Sequence, residues 1–365
     1  HGWVRGQPFH HKPMFIWSAA HAVPPNSYTQ DECLESFLKS SQYGQLNPTS
    51  QVLLRRILRG DNGITTRSLA LDSVQEAFNL TPDALQHRFQ THAPALAAQA
   101  ARNALIKVDL GSQELDAVII STCTGYLCPG LTSYLSESLG LDPSMILLDL
   151  VGHGCGAAIP NLRNAHALIH SGQASKVLSV CVEVCSAAFY LDDDPGVLIS
   201  ACLFGDAAAA AVCSSRPSAD YRPIETVSMQ STMRPEHRDL LRFEHKMGML
   251  RNILSPDTPR LAAESAYADL LTVLEKEGIS QESIQTWIAH AGGKRVLDAL
   301  TEKFELQHAD LEVSRSLLEK YGNTSSPFVL MALEEQIKRD APRGYWWMNS
   351  FGAGFSSHGI LLKAE

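Results

Sequence analysis

The sequence runs Met145-Ile-Leu-Leu-Asp-Leu150, then Val151-Gly-His-Gly154, then Cys155-Gly-Ala-Ala-Ile-Pro-Asn-Leu-Arg-Asn-Ala-His-Ala-Leu-Ile-His-Ser171. The first segment is an apolar run of strand length, and the second is a glycine-containing turn. The third carries apolar residues at helical spacing and is closed by Gly172. This stretch therefore predicts a strand, a tight turn and a helix, with a cysteine where the helix begins.

The same alternation of strands and helices extends in both directions from this stretch. The pattern predicts strands at 115–121, 176–183, 207–213, 226–230, 286–290, 345–350 and 360–363, and helices at 133–140, 261–277, 293–304 and 327–339. A polar, proline-containing stretch at 214–220 interrupts the pattern. We therefore predict an α/β fold of two similar halves, residues 14–216 and 217–365.

The composition limits the classes of function. The chain has 365 residues, of which 45 % are hydrophobic and 19 % are charged. Its 30 Lys and Arg against 39 Asp and Glu give a net charge of −9. Such a chain can bury enough apolar surface to fold. The acidic balance argues against nucleic acid or an anionic membrane as the main partner.

The sequence shows no sign of a membrane span or a secretory signal. No run approaches the roughly 18 apolar residues that a membrane-spanning helix needs. The N-terminus has no cationic head before an apolar core. We therefore expect a cytoplasmic protein. Residues 1–13 are rich in His, Pro and Gly, and we expect Met14 to be the native start.

Cys155 is the candidate nucleophile among the eight cysteines. It lies where a helix begins, and the unpaired N–H groups and the helix dipole there favour an anion. We therefore expect this thiol to ionise readily. The structural alternative is an inert cysteine in a glycine-rich turn. A hydrolase nucleophile elbow is excluded because His153 and Ala157 occupy its glycine positions. No Cys-x-x-Cys pair occurs, so we expect no metal site.

Two further residues could act with this cysteine. His290 ends a predicted strand in Trp287-Ile-Ala-His-Ala-Gly-Gly293, where an imidazole could serve as a donor or a base. His153 is a rival partner, although two residues from the nucleophile it suits backbone positioning better. Asn323 lies in Tyr321-Gly-Asn-Thr-Ser-Ser326 at the entrance to a helix. It could cap that helix, or its amide could donate to a carbonyl oxygen.

In this order the motifs resemble those of the chalcone and stilbene synthases, the type III polyketide synthases of the thiolase superfamily, from about Ser18 to the C-terminus. The resemblance implies a thiolase-like layered αβαβα fold built from two duplicated halves. It also implies that Cys155 carries the acyl group and that His290 and Asn323 complete a catalytic triad. Phe204, in Leu203-Phe-Gly-Asp206, would guard the entrance to the active site.

The resemblance also implies the reaction. Cys155 takes an acyl group from a CoA thioester, malonyl-CoA loses CO2, and the enolate extends the chain by two carbons. His290 and Asn323 would hold the enolate oxygen as neutral donors. The substrates would be acyl-CoA and malonyl-CoA, with an acyl carrier protein as another thioester source. No metal or redox cofactor would be needed.

Further roles follow from the same resemblance. Cys128 would cross the interface of a homodimer and complete the partner's cavity. Arg55, Arg56 and Arg59 would bind coenzyme A, although Asp61 interrupts this basic stretch and a solvated basic helix face is the alternative interpretation. The remaining cavity residues would be Cys123, Cys185, Ala188, Ser325, Gly352 and Gly354. A cavity lined by such small residues favours an aliphatic starter and pyrone- or resorcinol-type products.

The sequence departs from the family pattern at three places. A bulkier residue and two glycines usually follow the cysteine, but here the run is Cys155-Gly-Ala-Ala. The usual His-Pro-Gly-Gly reads His290-Ala-Gly-Gly, and the usual Gly-Phe-Gly-Pro-Gly reads Ser350-Phe-Gly-Ala-Gly354. The continuation to Gly359 leans towards the ketoacyl synthase III enzymes, whereas the two glycines after His290 favour the polyketide synthases.

Three alternatives therefore remain beside the polyketide synthase. The first is a ketoacyl synthase III-like condensing enzyme or acyltransferase. The second is a thioester hydrolase that uses the same cysteine and histidine without decarboxylation. The third is an inactive scaffold homologue, against which the intact set of Cys, His and Asn argues.

Overall fold

The computed structural model describes residues 13–365, so the stretch before the expected native start lies outside the described residues. The described strands are β1 Phe15–Ala22, β2 Ser27–Thr29, β3 Thr66–Ser68, β4 Ala117–Ser121, β5 Ile146–Leu150, β6 Lys176–Glu183, β7 Ala207–Ser214, β8 Ile224–Met233, β9 Leu241–Lys246, β10 Met249–Leu254, β11 Ile284–Ala289, β12 Gly344–Gly352 and β13 Ser356–Ala364. The helices are α1 Gln30–Lys39, α2 Ser41–Gln45, α3 Pro48–Arg59, α4 Pro82–Ile106, α5 Leu131–Leu139, α6 Ala158–His170, α7 Pro195–Leu203, α8 Thr258–Glu277, α9 Lys294–Lys303, α10 Glu312–Tyr321 and α11 Phe328–Lys338.

The two halves of the chain repeat one strand arrangement. In the first half β4 is parallel to β5 and β6, and β7 and β1 follow as antiparallel neighbours. In the second half β11 is parallel to β12, and β13 and β8 follow as antiparallel neighbours. The halves are hydrogen-bonded to each other where β1 meets β8, at the pairs Phe15–Glu225 and Ile16–Ile224. The order of elements therefore supports a duplication.

Helices cover both faces of each half. α4 packs on β1, β6 and β7, and α8 packs on β8, β12 and β13. Between the halves, α6 contacts β6 and β13, and α11 contacts β1 and β12. The result is a helix–sheet–helix–sheet–helix sequence of layers, and the predicted αβαβα architecture is confirmed.

The sequence of β7 explains why it can lie between two helical layers. All its residues are buried, and they are mostly alanines. Ala207, Ala209 and Ala211 join the core cluster that contains α6 and α11, whereas Ala208 and Ala210 join the cluster that contains α4. Successive strand residues point to opposite faces, so small side chains on both faces let helices approach from both sides.

Most of the predicted elements are present with small shifts at their ends. The strand predicted at 176–183 coincides with β6, and the proposed boundary at 216/217 falls between β7 and β8. α8 begins at Thr258 rather than 261, and β8 extends beyond 230 to Met233. The prediction omits α1 to α4, α7, α10, β1 to β3 and the β9–β10 hairpin. Within residues 13–365, no helix is long and apolar enough to cross a membrane.

Candidate active site

Cys155 lies in a short 3-10 turn between the end of β5 and the start of α6. Gly154, just before it, adopts a φ of +55°, a left-handed conformation that favours glycine. The end of β12 lies directly against this turn. A Cβ added to Gly352 would be 2.2 Å from the carbonyl oxygen of His153. The position of the cysteine is therefore fixed by backbone-to-backbone contact that a side chain would prevent.

The Cys155 thiol is 8 % exposed, and its environment works against ionisation. Burial raises the pKa of Cys155 to about 12. The Ser325 hydroxyl, which donates a hydrogen bond to Sγ at 3.2 Å, lowers this pKa in part, whereas the charge of Glu183 raises it. The expectation of easy ionisation is therefore wrong for this state, because desolvation outweighs the backbone dipoles at the helix start. To act as a nucleophile, a thiol in this environment needs a base.

His290 follows β11 and is 1 % exposed. Its ring packs edge-on between Phe328 and Phe351, with ring centroids 5.6 and 5.1 Å away. Neither ring nitrogen has a hydrogen-bond partner within the part of the chain that the structure describes. Burial lowers the pKa of His290 to about 3, so the imidazole is neutral at pH 7. It offers one acceptor nitrogen and one N–H donor.

Asn323 follows α10, and both ends of its amide are engaged. Oδ1 accepts a hydrogen bond from the Ser325 backbone N–H at 2.8 Å, and Nδ2 donates to the Gly292 carbonyl at 3.2 Å. Nδ2 carries a second N–H that can donate elsewhere. Pro327, not Asn323, occupies the N-cap position of α11. The structural alternative, in which Asn323 caps this helix, is therefore excluded, and its amide fixes the 321–326 turn instead.

Two cavities meet at the cysteine. The outer cavity, of about 530 Å³, is lined by Cys155, His290 and Asn323 together with Phe204. The inner cavity is also lined by Cys155 and Phe204, so these two side chains lie where the cavities join. The structure thus brings the three predicted catalytic residues to one space. The inner cavity also contains four other predicted lining residues, Cys123, Cys185, Ala188 and Ser325.

Other predicted lining residues lie elsewhere. Gly352 packs behind the cysteine turn, and a Cβ on Gly354 would be 2.6 Å from Sδ of Met233. Cys128 is exposed at the surface. Neither glycine is among the described residues that line the two cavities, and Gly352 instead permits close backbone packing. The prediction that Cys128 completes the cavity of a partner subunit concerns a second copy and stays a prediction.

The three arginines of α3 also differ in position. Arg56 lines the outer cavity, together with Lys294 and Arg295. Arg55 donates a hydrogen bond to the Tyr43 hydroxyl at 2.6 Å, and Arg59 is exposed at the end of the helix. Only Arg56 of the three is thus placed at the cavity.

The rival histidine, His153, does not line either cavity among the described residues. Its ring is 6.2 Å from the ring of His358, on the far side of the cysteine turn. Burial lowers the pKa of His153. His290 is therefore the better placed base.

Family models match almost the whole chain. The model for the N-terminal domain of chalcone and stilbene synthases matches residues 10–217, and the model for their C-terminal domain matches residues 226–364. The chain belongs to the chalcone and stilbene synthase family. The match begins at residue 10, earlier than the Ser18 expected from the motifs.

Similar proteins agree with this assignment. A 1,3,6,8-tetrahydroxynaphthalene synthase of Streptomyces peucetius subsp. caesius is 28 % identical over 348 residues, 94 % of this chain and 91 % of the relative. PKS-I from the brown alga Ectocarpus siliculosus has a TM-score of 0.89 at 24 % identity, over 97 % of this chain and 98 % of that one. The 1,3,6,8-tetrahydroxynaphthalene synthase of Streptomyces coelicolor A3(2), a bacterial type III polyketide synthase, has a TM-score of 0.85 at 23 % identity, over 96 % and 99 %.

The fold of this chalcone and stilbene synthase family member is thus thiolase-like. Membership makes the chain a type III polyketide synthase, an acyltransferase that works by decarboxylative condensation.

Glu183 is a buried carboxylate of this polyketide synthase that was not predicted from the sequence. It accepts hydrogen bonds from the Cys123 backbone and from the hydroxyls of Thr124 and Ser326, at 3.0, 2.9 and 2.6 Å. Burial raises the pKa of Glu183, and these hydrogen bonds oppose the rise. The one feature of the sequence that points to Glu183 is that a carboxylate ends the apolar strand predicted at 176–183.

No cluster of three or more His, Cys, Asp and Glu that could hold a metal occurs in residues 13–365.

Proposed function

We propose that this type III polyketide synthase loads an aliphatic acyl group from acyl-CoA onto Cys155 and extends it with malonyl-CoA, giving pyrone- or resorcinol-type products. The observation that supports this proposal is the position of Cys155. It lies at the junction of a wide cavity that holds His290 and Asn323 and a narrow apolar cavity. One side of the sulfur can thus receive a thioester while the other holds an alkyl chain.

Loading begins with proton transfer from Cys155. At pH 7 both the thiol and the imidazole of His290 are neutral, because burial raises the pKa of one and lowers that of the other. His290 accepts the thiol proton as sulfur attacks the thioester carbonyl, and the CoA thiolate leaves with that proton. The Ser325 hydroxyl remains as a donor to the sulfur. The neutral His290 is then available for the second step.

Decarboxylation then generates the carbon nucleophile. The C–C bond to the malonyl carboxylate breaks, CO2 leaves, and the electron pair forms an enolate at the thioester. The N–H groups of His290 and Asn323 stabilise the enolate oxygen. The enolate carbon attacks the acyl carbonyl, and the bond to Cys155 Sγ breaks with its electron pair left on sulfur as a thiolate. The chain on CoA is then two carbons longer, and the thiolate can attack its thioester to reload the chain for the next extension. Loss of CO2 supplies the electron pair, so we propose that no metal or redox cofactor takes part.

The inner cavity favours an aliphatic starter. Its far end is formed by the aromatic side chains of Phe37, Phe78 and Phe189, which pack within 5.1 to 5.9 Å of one another. The space is small, about 60 Å³, so a slim unbranched chain fits it better than a branched one. Each methylene removed from water contributes about 0.8 kcal/mol. Longer chains should therefore react faster until the cavity is full.

The mouth of the outer cavity suits an anionic carrier. Arg56, Lys294 and Arg295 lie there, although Lys294 is paired with Asp61. An arginine guanidinium can bind phosphate with two hydrogen bonds. We propose that Arg56 and Arg295 bind the phosphates of coenzyme A. An acyl carrier protein, which presents the same pantetheine arm, is the alternative donor, and a comparison of the two donors distinguishes them.

The first test measures CO2 release from malonyl-CoA and single-turnover acyl transfer to Cys155 in two Asn323 variants. Asn323→Asp keeps the acceptor for the Ser325 N–H but removes the donor, so we expect decarboxylation to slow by about 100- to 1,000-fold with loading retained. Asn323→Ala loses both contacts. Cys155→Ala should lose loading altogether. Equal loss of loading and decarboxylation in Asn323→Asp would contradict a donor role.

The second test compares straight-chain acyl-CoA starters. We expect kcat/KM to rise by up to about fourfold per added methylene until the cavity is full, as the transfer free energy implies. Phe78→Ala should move the best chain length upward, whereas Leu38→Ala, a change at a 40 % exposed side chain, should not. A single extension with an acyl carrier protein donor would support the ketoacyl synthase III-like alternative. Free acid without CO2 release would support a hydrolase.

We also propose that the enzyme is a homodimer. β5 is the last strand of the sheet, and the apolar side chains of Leu147, Val151 and Tyr126 beside it are 36, 65 and 73 % exposed. Exposed apolar groups at an open strand edge favour a partner, and a second copy would bring the exposed Cys128 against this face.

Val151→Asp should give a monomer in size-exclusion chromatography with light scattering. Val52→Asp, also at a 65 % exposed valine, should stay dimeric. A wild-type monomer would contradict the proposal.

A further inference from the structure

The inner cavity has two facing walls that come from different parts of the chain. One wall is the β9–β10 hairpin, which contributes Leu241, Phe243 and Asn252. The other is the segment before α7, which contributes Phe189 and Tyr190. The distance between these walls sets how wide the space for a growing chain can be.

Arg251 joins the two walls from outside the cavity. It lies on β10, is 9 % exposed, and does not line the cavity itself. Its Nε donates a hydrogen bond to Asp192 at 2.8 Å, and its two terminal nitrogens contact Asp194 at 3.2 Å and Glu244 at 2.7 Å. Arg251, Asp192, Asp194 and Glu244 together form what is here called the wall cluster. Asp192 and Asp194 belong to one wall, and Arg251 and Glu244 belong to the other.

The wall cluster is also connected, through α7, to Phe204, which lies where the two cavities join. Oδ1 of Asp194 accepts a hydrogen bond from the Gly196 N–H at 2.8 Å and so caps α7. α7 ends at Leu203, directly before Phe204. At its start the helix packs closely on β10, since a Cβ on Gly196 would be 2.4 Å from the carbonyl oxygen of Leu254. One arginine thus fixes the hairpin, the facing segment and the helix that leads to Phe204.

The charges of the wall cluster show that Arg251 joins the carboxylates of the two walls. Among the described residues it is the one group that contacts three carboxylates at once, while Lys246 and Arg242 each contact one of them. Without Arg251, Asp192 would keep Lys246 and Glu244 would keep Arg242, but no ion pair would join Glu244 on the hairpin to Asp192 and Asp194 on the other wall. The two walls would lose this link, and the like charges of the carboxylates would favour their separation.

We propose that Arg251 is a positioning residue that holds the two walls of the inner cavity together and thereby sets the length of acyl chain that the enzyme accepts. This inference rests on the proposed function, because it names the determinant of chain length for the same cavity. Loss of Arg251 should widen the cavity and favour longer chains. It should leave the chemistry at His290 and Asn323 intact, because neither residue contacts the wall cluster.

The experiment compares Arg251→Gln, Arg251→Lys and Asp192→Asn with the wild type. The control is Arg260→Gln, which breaks the surface pair with Glu264 on α8 at 2.9 Å. The first readout is the ratio of kcat/KM for dodecanoyl-CoA to that for butanoyl-CoA. We expect this ratio to rise about tenfold in Arg251→Gln. The rise should be smaller in Asp192→Asn, because Arg251 still pairs with two carboxylates. It should be smallest in Arg251→Lys, because the positive charge is kept. Decarboxylation of malonyl-CoA without a starter should stay within about twofold.

The second readout does not depend on turnover. Mass spectrometry measures the rates at which N-ethylmaleimide and N-octylmaleimide modify Cys155, and the octyl-to-ethyl ratio should rise in Arg251→Gln. If the wild type condenses no starter but the octyl-to-ethyl ratio rises in Arg251→Gln, the proposed function fails and the role of Arg251 stands. If the octyl-to-ethyl ratio of Arg251→Gln equals that of the wild type, and the variant unfolds at the wild-type temperature, the role of Arg251 is overturned. A parallel fall of all rates, decarboxylation included, would also overturn it by showing a merely structural role.

Discussion

Ser325 is strained at the position where it touches the reacting sulfur. Its φ is +61°, a conformation that costs roughly 1–2 kcal/mol for a residue with a side chain. Its hydroxyl donates to Cys155 Sγ at 3.2 Å, and its backbone N–H is held by Asn323. Strain of this kind persists where the surroundings enforce it and where a function gains from it. The hydroxyl is a neutral side-chain donor to the thiol, and both it and the backbone N–H of Cys155 lower the pKa of that thiol.

Replacing Ser325 by Ala should make Cys155 harder to ionise. A net hydrogen bond contributes about 0.5–1.5 kcal/mol, and 1.36 kcal/mol corresponds to one pKa unit. We therefore expect the pKa of Cys155 to rise, and its alkylation by iodoacetamide at a fixed pH to slow by about two- to tenfold. The measurement is the pH profile of alkylation of that residue, followed by peptide mass spectrometry.

Two matched variants make this result specific. Thr324→Val removes the neighbouring buried hydroxyl, which contacts Met331 Sδ and not the cysteine, so alkylation should be unchanged. Ser325→Gly removes the same hydroxyl but relieves the backbone strain. It should slow alkylation as much as Ser325→Ala does, but it should unfold at a higher urea concentration than Ser325→Ala. Wild-type alkylation in Ser325→Ala would show that the hydroxyl does not act on the thiol.

The sequence could predict that Cys155, His290 and Asn323 belong to one site, and they do line one cavity, but it could not predict the protonation states of Cys155 and His290. Cys155, His290 and Asn323 each lie in a local pattern of strand, turn and helix that is readable from neighbouring residues. The pKa values of Cys155 and His290 depend instead on burial and on groups brought from distant segments, such as Glu183 near the thiol and Phe351 beside the imidazole. The local helix start favours a thiolate, yet burial by the whole fold decides the outcome.

Gly352 shows the same limit at the scale of an element. In the sequence it belongs to a glycine-rich link between two strands, which suggested a cavity wall. In the fold it is the last residue of β12, and it lets that strand press against the turn that carries Cys155. The Ser350 hydroxyl on the same strand donates to the Gly156 carbonyl at 3.1 Å. β12 therefore supports the nucleophile from behind.

Gly352→Ala should displace the cysteine turn. The added Cβ would meet backbone atoms at 2.2 and 2.5 Å, which no side-chain rotation can relieve. Overpacking of this kind costs typically about 1–3 kcal/mol. We expect the free energy of unfolding, measured with urea, to fall by that amount and acyl transfer to Cys155 to fall more than tenfold, since about 1 Å of misplacement can cost 100-fold. Gly44→Ala, in α2, where nothing lies within 4 Å of the new Cβ, should lower neither quantity, because alanine also favours a helix over glycine. Full activity in Gly352→Ala would contradict the supporting role.

Several strands with a continuous apolar pattern could be predicted, whereas the β9–β10 hairpin, which is held by charge, could not. β4 and β6 are continuous apolar runs, so their positions follow from local sequence. The β9–β10 hairpin reads Leu-Arg-Phe-Glu-His-Lys and Met-Leu-Arg-Asn-Ile-Leu, a mixture without a clean period. Its packing depends on Arg251 and carboxylates from another segment, which no local pattern reveals.

At the scale of the molecule, burial of neutral histidines makes folding sensitive to acid. His358 is 4 % exposed, and its two ring nitrogens lie 2.9 and 3.1 Å from the hydroxyls of Ser231 and Ser356. Burial lowers the pKa of His358 to about 3, the same value as for His290. The unfolded chain binds a proton at each histidine below about pH 6.5, whereas the folded chain does not until about pH 3. The two neutral histidines therefore support the folded state fully above about pH 6.5, and the free energy of unfolding decreases as the pH falls from about 6.5 towards 3.

Buried carboxylates act in the opposite direction. Burial raises the pKa values of Glu183, Asp206 and Asp269, so protonation of these groups favours the folded state as the pH falls. The total pH dependence of stability thus mixes both kinds of group. Only a comparison of variants that share the same carboxylates isolates a histidine.

His358→Gln should reduce the loss of stability between pH 7.5 and pH 5.0. With a pKa of about 3 in the folded state and about 6.5 in the unfolded state, His358 accounts for about 2 kcal/mol of that loss. Glutamine has no titratable group, so the difference in unfolding free energy between the two pH values should be smaller by that amount, whatever the stability at either pH. Urea unfolding followed by tryptophan fluorescence measures both values. His87→Gln, a change at an exposed histidine of α4, should leave the difference at its wild-type size. If His358→Gln also kept the wild-type difference, His358 would titrate alike in the folded and unfolded chains, and the acid sensitivity would have to come from elsewhere.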